Sequence, residues 1–473
     1  MIKNIFPDAP TQEHLHVIVQ LPDTKKRPHS HESRSDGQRL EQRQKLEASA
    51  RLKSPPPSSS AEVGNFLAIQ EHEEKHILNG RPLKNHGFPI ELFHPVFDKF
   101  RTDANKITLE ISPEDYKDVA SLCASAADIY KTEDARGVGI YTILEKILAT
   151  KLTTKNANGA RSARADGVIT LSLEEVIAFL AVVELKNEIG TGHSDPAAQV
   201  SFSYAFYVSQ KEIEKLLATS NCPCFLIAIA GPHIKVLGAV FTDYIIVKPL
   251  TDWIQLDVDP ADDAQLDRFA RVLVALRSSL QSLAEYYQSL ALGDMDTKFT
   301  RFFPYIRSYP GPDHEIVHFH YFAQQYNTDA HKLLASKGLA PRLLYSGFDT
   351  GNTHGSCGSL KMVVMEFLEG RTAYDIHATL SVKQYEHVRN AVKVLHDEDF
   401  VFGDLRLPNI MVDGETAKLI DFDWCGKHGT GRYPITINDT GVTWHPEVKR
   451  GGKMKKEHDD FMLLRAQTPH HSQ

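Results

Sequence analysis

The sequence predicts a multidomain chain in which an α/β core is followed by a second domain of α+β character. Its 473 residues exceed what one hydrophobic core serves, so two or three domains are expected. A strand reading Val182-Val-Glu-Leu-Lys186, preceded by Asp166-Gly-Val-Ile-Thr170, gathers two acids and a base in one half. The last third carries a different set of polar loops, Asp404-x4-Asn409 and Asp421-Phe-Asp423, each joined to a short apolar strand.

Hydrophobic content of 42% and charged content of 24% are those of a globular protein. A net charge of −8 offers no general attraction for nucleic acid, so a nucleic-acid site would need a local basic surface. The five cysteines, Cys123, Cys222, Cys224, Cys357 and Cys425, are odd in number and scattered, which argues against a disulfide framework. Cys222-Pro-Cys224 has no second Cys/His pair at zinc-finger spacing and reads as buried small hydrophobes. The apolar run from Cys224 to Phe241 is broken at Gly231-Pro-His-Ile-Lys235, so it predicts two buried strands and a turn; no membrane partner is expected. Met1 to Ile5 has neither a hydrophobic region nor a cleavage site, and no secretory leader is expected there.

In chain order, residues 1–22 end in an alternating strand, His14-Leu-His-Val-Ile-Val-Gln-Leu-Pro22, without neighbouring strands. Residues 23–85 read as a disordered linker rich in Lys, Arg, Ser, Gln and Pro, and its Lys25-Lys-Arg-Pro28 as a solvated basic cluster rather than an import signal. Residues 86–292 form the first folded domain. A helix opens at Ser112-Pro-Glu-Asp115, and a second, over 134–152, carries Glu145 close to its apolar face. Then come Asp166, a short helix capped at Ser172, the strand with Glu184 and Lys186, and a helix from Pro196 bearing Gln199, Tyr204 and Tyr207. Strands at Phe225–Ala230 and Ile234–Phe241 and a long amphipathic helix over 260–292 complete it; Gly293 breaks that helix and opens the 293–473 domain.

In a strand, Glu184 and Lys186 point to the same side, separated by roughly 6–7 Å of rise. A hairpin that pairs the Asp166 run with Ala181–Leu185 brings a second carboxylate beside Glu184. Two converging carboxylates suit Mg²⁺, and Lys186 is placed to orient a water or hold charge developing on a phosphate. This order resembles the PD-(D/E)xK nuclease fold, a restriction-nuclease-like α/β core. The resemblance implies Asp166, Glu184 and Lys186 as the catalytic set, with Asp166 and Glu184 on Mg²⁺ or Mn²⁺. It also implies Glu145 as a supporting acid, Gln199 as a helper near the phosphate, and DNA as the partner.

In the last domain, Met362-Val-Val-Met-Glu-Phe-Leu-Glu-Gly370 reads as a buried strand running into a turn, followed by a helix over Tyr385–His396. With the Asp404 and Asp421 loops behind it, this resembles a protein-kinase-like domain. The resemblance implies Asp404 as the base, Asn409 and Asp421 as Mg²⁺ ligands, and Glu366 in a hinge that faces the adenine of ATP. It departs from that pattern in four places. Arg301–Gly311 holds no Gly-rich loop, His318 stands where a Lys is expected, no Glu lies between His318 and Glu366, and Phe402-Gly-Asp404 replaces His-Arg-Asp. An imidazole is a poor substitute for the phosphate-holding ammonium, so nucleotide binding is expected more than phosphoryl transfer. The chain after His458 leaves room for only part of a second lobe.

The run Phe6-Pro-Asp-Ala-Pro10 with His14–Pro22 resembles the end of the ubiquitin-like leading module of crinkler effectors, so the chain is expected to begin inside such a module. Taken together, the order resembles crinkler-type effectors of fungi that join a nuclease-like and a kinase-like domain. It implies secretion or delivery into a host cell and its nucleus. Three readings follow: a Mg²⁺-dependent nuclease with a regulatory kinase-like domain; a protein kinase acting on a host or self protein, with the nuclease-like domain as a nucleic-acid platform; and a non-enzymatic interaction module.

Overall fold

In the computed structural model, the described residues are 19–20, 56–72, 75–153, 165–174, 176–191, 194–259, 262–292, 319–350, 356–357, 360–366, 368, 370–376, 379–437 and 441–467. The chain is mixed α/β, with several sheets, and divides into two units, residues 34–305 and residues 1–33 with 306–473. The division falls later than the expected step at 292/293. Residues 301–311 and His318 lie outside the described residues, as do residues 6–22 apart from Val19–Gln20 (β1). Among the described residues no helix is long and apolar enough to cross a membrane.

The 34–305 unit starts earlier than expected. Residues 56–72 and 75–85, read as the end of a disordered linker, are folded: Pro57–Ser60 (α1) begins with proline in the first turn, and Val63–Glu71 (α2) follows. The buried Gln70 amide then ties down the next loop through the Ile77 carbonyl at 3.0 Å and the Ile77 amide at 2.9 Å. Side-chain hydrogen bonding of this kind is invisible to a composition argument.

Pro95–Asn105 (α3), Pro113–Ala127 (α4) and Glu133–Leu148 (α5) come next, α4 carrying the expected Ser112 cap as a full capping box with Asp115. Gly167–Ser172 (β2) and Ile177–Lys186 (β3) form an antiparallel hairpin. The short helix expected at Ser172 is absent: Ser172 pairs with Ile177 and the Leu173 amide bonds the Val176 carbonyl at 2.9 Å, a connection too tight for a helical turn. Pro196–Val208 (α6) and Glu214–Thr219 (α7) lead to Cys224–Ala230 (β4), which runs parallel to β3. His233–Phe241 (β5), Ile245–Pro249 (β6) and Ile254–Gln255 (β7) complete a six-stranded sheet ordered β2-β3-β4-β5-β6, with β7 on β5. The Cys224–Phe241 run is thus the expected pair of strands around a turn.

Every residue of β4 is buried, as a strand covered on both faces requires, and Cys123, Cys222 and Cys224 are buried thiols outside any disulfide. Asp263–Gln288 (α8) lies along α3 and buries Phe269, Val272, Leu276, Leu280 and Leu283 on one stripe. Phe97 and Phe100 of α3 meet Phe225 of β4 edge to face. Gly238 is the residue that lets this layer approach: a Cβ there would overlap Ile90 and fall 2.6 Å from Phe97. Gly238→Ala is accordingly expected to destabilise the unit by about 1–3 kcal/mol through overpacking, seen as a lower urea midpoint.

In the second unit, Phe319–Ala323 (β8) is followed by Thr328–Ser336 (α9), Leu343–Ser346 (β9), Ser356–Cys357 (β10) and Leu360–Met365 (β11). β1 pairs with β8 through Val19–His320 and Gln20–Phe319, so the strand without neighbours in sequence finds its edge here. Arg371–Thr372 (β12), Val382–Asp397 (α10), Phe400–Val401 (β13), Ile410–Asp413 (β14), Thr416–Leu419 (β15), Gly426–Lys427 (β16) and Lys456–Arg465 (α11) complete the order. Val388, Val392 and Leu395 of α10 pack with Phe402, Ile410, Leu419 and Phe422 into one core.

Candidate active site

The first constellation lies where β2 meets β3. β2 begins at Gly167, opposite Val183, so the Leu185 amide has no strand partner there. The Asp166 carboxylate takes its place, accepting from Leu185 N at 2.8 Å, which holds it against the end of β3. Glu184 is fully buried, and the Asp166 carboxylate lies close enough to act on its charge. Gln199 Nε2 donates to Glu184 Oε2 at 2.7 Å and Ser203 Oγ to Oε1 at 2.5 Å. Gln199 is itself steadied by Ser194 Oγ at 2.9 Å. Burial first, and the Asp166 charge second, raise the Glu184 carboxyl well above its ordinary value.

Lys186 projects from the same side of β3, 7% exposed, with Glu133 at 3.4 Å. Burial first pushes the Glu133 carboxyl up, Lys186 pulls it down and Asp166 pushes it up again, so Glu133 stands in the field of both. The first turn of α5 is held here by the fully buried Arg136, which donates to Glu188 at 2.5 Å and to the Ala126 carbonyl at 2.8 Å. Asn187 adds a bond to the Tyr130 carbonyl at 2.8 Å. Tyr141 is half-buried beside the cluster, and desolvation followed by the charges of Asp166 and Glu184 drives its phenol upward.

Asp166, Glu184, Lys186 and Gln199 are therefore brought together, and Glu145 is not. It sits twelve residues beyond Glu133, roughly 18 Å along the helix. Its carboxylate accepts from the Leu152 amide at 2.8 Å and from Lys151 at 3.0 Å. Thr153, next in line, bridges to Val168, so Glu145 latches the approach to the Asp166 strand. Sequence reasoning missed Glu133, Ser203 and Tyr141. Ser203 was within reach, one helical turn from Gln199 on the same face; Glu133 gave no local signal.

The second constellation belongs to the other unit. Asp404 is 2% exposed and its carboxylate is gripped by Arg406, through Nε and through Nη2 at 2.7 Å. Asn409 Nδ2 adds bonds to Asp404 Oδ2 at 2.9 Å and to its carbonyl at 3.0 Å. Arg406 lies over Trp424 and Trp444, which fixes its guanidinium. Asp459, from α11, clamps the backbone just before Asp404: its carboxylate accepts from Phe402 N at 2.7 Å and Gly403 N at 2.9 Å.

Ile420 N bonds the Asn409 carbonyl at 3.0 Å, which sets Asp421 beside this loop, in a left-handed conformation of φ 68°. Phe422 is fully buried, stacked on His331 at 4.6 Å, and so fixes the acids on either side of it. Glu366 is exposed at the end of β11, where its amide bonds the Arg342 carbonyl and its carboxylate accepts from Arg342 N at 3.2 Å. A polar cleft of about 440 Å³ opens beside Asp423, lined by Gln325, Asn327, Asp329, Asp349 and Arg432 among others; Asp404, Asn409, Asp421 and Glu366 do not line it. Arg406 and Asp459 were missed in sequence, although Arg406 stands only two residues from Asp404.

No family model matches the chain, and no curated protein matches it.

Proposed function

We propose that the chain is a crinkler-type effector whose 34–305 unit is a PD-(D/E)xK nuclease-like, divalent-metal-dependent enzyme cutting DNA phosphodiesters. The observation that carries this reading is the Asp166 carboxylate, pinned by the Leu185 amide at 2.8 Å next to the fully buried Glu184, with Lys186 next along the same side of the strand. Two neighbouring acids, one fully buried, repel as soon as both ionise, and a proton or a cation relieves that repulsion. An all-oxygen pair of this kind fits Mg²⁺ or Mn²⁺.

Asp166 and Glu184 would hold the ion, whose chemistry is Lewis-acid stabilisation of a phosphate and activation of water. The residues around it prepare the site. The Leu185 amide orients Asp166, Gln199 and Ser203 orient Glu184, and Glu133 holds the Lys186 ammonium in place until a phosphate competes for it. Lys186 then faces charge that grows on the phosphate oxygens.

The second unit is read as kinase-like, binding nucleotide or a partner protein. The Arg406 grip on Asp404 supports binding over phosphoryl transfer, because it neutralises the carboxylate that a base needs free. On the same resemblance the protein acts after delivery into a host cell, in the nucleus.

The test is nicking of supercoiled plasmid with Mg²⁺ or Mn²⁺, with and without ATP, beside Lys186→Ala. Metal-dependent nicking that disappears in the variant is expected, and an ATP effect would give the kinase-like unit a regulatory role. Equal cleavage by folded Lys186→Ala, or none by the folded parent with either metal, rejects the reading.

A further inference from the structure

The loop after β16 and the start of α11 bring three donor side chains together outside both constellations. Ligand atoms of His445, Glu447 and His458 all lie within 4.8 Å of one another. His458 is 2% exposed, yet its Nε2 is buried without a hydrogen-bond partner. An orphaned ring nitrogen at such depth destabilises the fold unless something binds it.

The other ring nitrogen is already supported. His458 Nδ1 is 3.0 Å from the buried Tyr433 hydroxyl, the hydrogen bond that a metal-ligating histidine makes through its second nitrogen. The rings of His445 and His458 face each other at 4.9 Å, and Glu447 enters from the exposed side.

We propose that His445, Glu447 and His458, the last through Nε2, bind a divalent cation of the zinc class. Two imidazoles and one carboxylate match the donors that zinc prefers and Mg²⁺ does not, and they leave a fourth position for water. Binding exchanges weak interactions for metal bonds. Glu447 leaves its exposed ion pair with Lys455 at 2.6 Å, a contact of little worth in water. With Nε2 on the metal, the ring proton of His458 sits on Nδ1, where Tyr433 accepts it. The Lys455 amide, 3.3 Å from Nδ1, and the Glu447 amide, 3.2 Å from His445 Nδ1, return to solvent.

The ion would be a brace rather than a reaction centre. His458 adjoins Asp459, whose carboxylate holds the Phe402 and Gly403 amides ahead of Asp404. Joining residues 445–447 to the first turn of α11 fixes that carboxylate and through it the Asp404 loop.

The experiment uses the full chain carrying Glu184→Gln, so that the paired carboxylates do not contribute, stripped with EDTA and titrated with Co²⁺. One equivalent should bind with the visible absorption of low-coordinate cobalt on nitrogen and oxygen and be displaced by Zn²⁺. Zn²⁺ should also slow exchange of the Phe402 and Gly403 amides. His445→Ala and Glu447→Gln, at partly exposed positions that tolerate change, should each weaken binding by roughly tenfold or more, and Tyr433→Phe by about tenfold. Absence of the cobalt spectrum at one equivalent, or equal affinity in His445→Ala and Glu447→Gln, overturns the proposal.

Discussion

A chain carrying Glu184→Gln is expected to lose metal-dependent cleavage by roughly 10²–10³-fold, the scale at which removing one charge-stabilising group is felt. Without metal it should nonetheless melt higher than the parent. The carboxyl of Glu184 is fully buried and is pushed well above its ordinary value, by burial first and the Asp166 charge second. Folding therefore takes up a proton there. Below about pH 4.3 the unfolded chain is protonated too, and the two proteins should be equally stable. As pH rises above that value the unfolded carboxyl ionises while the folded one resists, so the parent loses stability that the amide variant keeps.

The glutamine preserves an acceptor for Ser203 and offers an N–H to Asp166, while Gln199 must turn its amide so that an oxygen, not its N–H, faces the new donor. Melting curves in EDTA at pH 4 and pH 8 check this. Equal stability at pH 8 would mean that the acid pair is not strained. Mg²⁺ at a hundredfold excess over its dissociation constant should return about 2.7 kcal/mol to the parent and nothing to the variant. The protein thus keeps an unfavourable carboxyl pair whose use, on this reading, is to receive a cation.

The second large effect is expected from Asp459→Ala. Asp459 is 1% exposed, and its two oxygens satisfy the amides of Phe402 and Gly403, with His396 Nε2 at 3.1 Å. Removing it orphans two buried backbone donors at about 1–3 kcal/mol each, so the second unit should lose about 3–5 kcal/mol. Asp459→Asn should lie between, because one oxygen remains and the amide group opposes the other donor. Denaturation midpoints of the three proteins, with hydrogen exchange at Phe402 and Gly403, decide the matter. Unchanged protection of those amides in Asp459→Ala would show that the clamp does not hold the Asp404 loop.

Much of the site was legible because strand geometry is local. Alternation along β3 already put Glu184 and Lys186 on one side, and the Asp-Gly turn made Asp166 the natural opening residue of a partner strand. The capped helix from Pro196 likewise set Gln199 at a definite angle, with Asp195 as its N-cap. The errors came where local signals had two outcomes. Ser172 resembles a helix cap, yet the register of the β2–β3 hairpin leaves no room for a turn of helix. Residues 56–72 and 75–85 read as linker because Pro and Ser dominate their start, whereas Gln70 and the Leu78–Ile246 bridge fold them onto the sheet.

What the sequence by itself determined is the content of each element and the direction in which its residues point, since periods of two and 3.6 follow from backbone geometry alone. It therefore placed the Asp166, Glu184 and Lys186 set and the spacing of Asp404, Asn409 and Asp421. Only the tertiary structure decided which acid meets Lys186, and it chose Glu133 over Glu145 because Arg136 and Asn187 fasten the first turn of α5 to the end of β3. It also decided that Arg406 occupies the Asp404 carboxylate, that β1 pairs with β8, and that His445, Glu447 and His458 converge. Such pairings join distant segments, and their free energy depends on which surfaces are buried together, a quantity that no window of sequence contains.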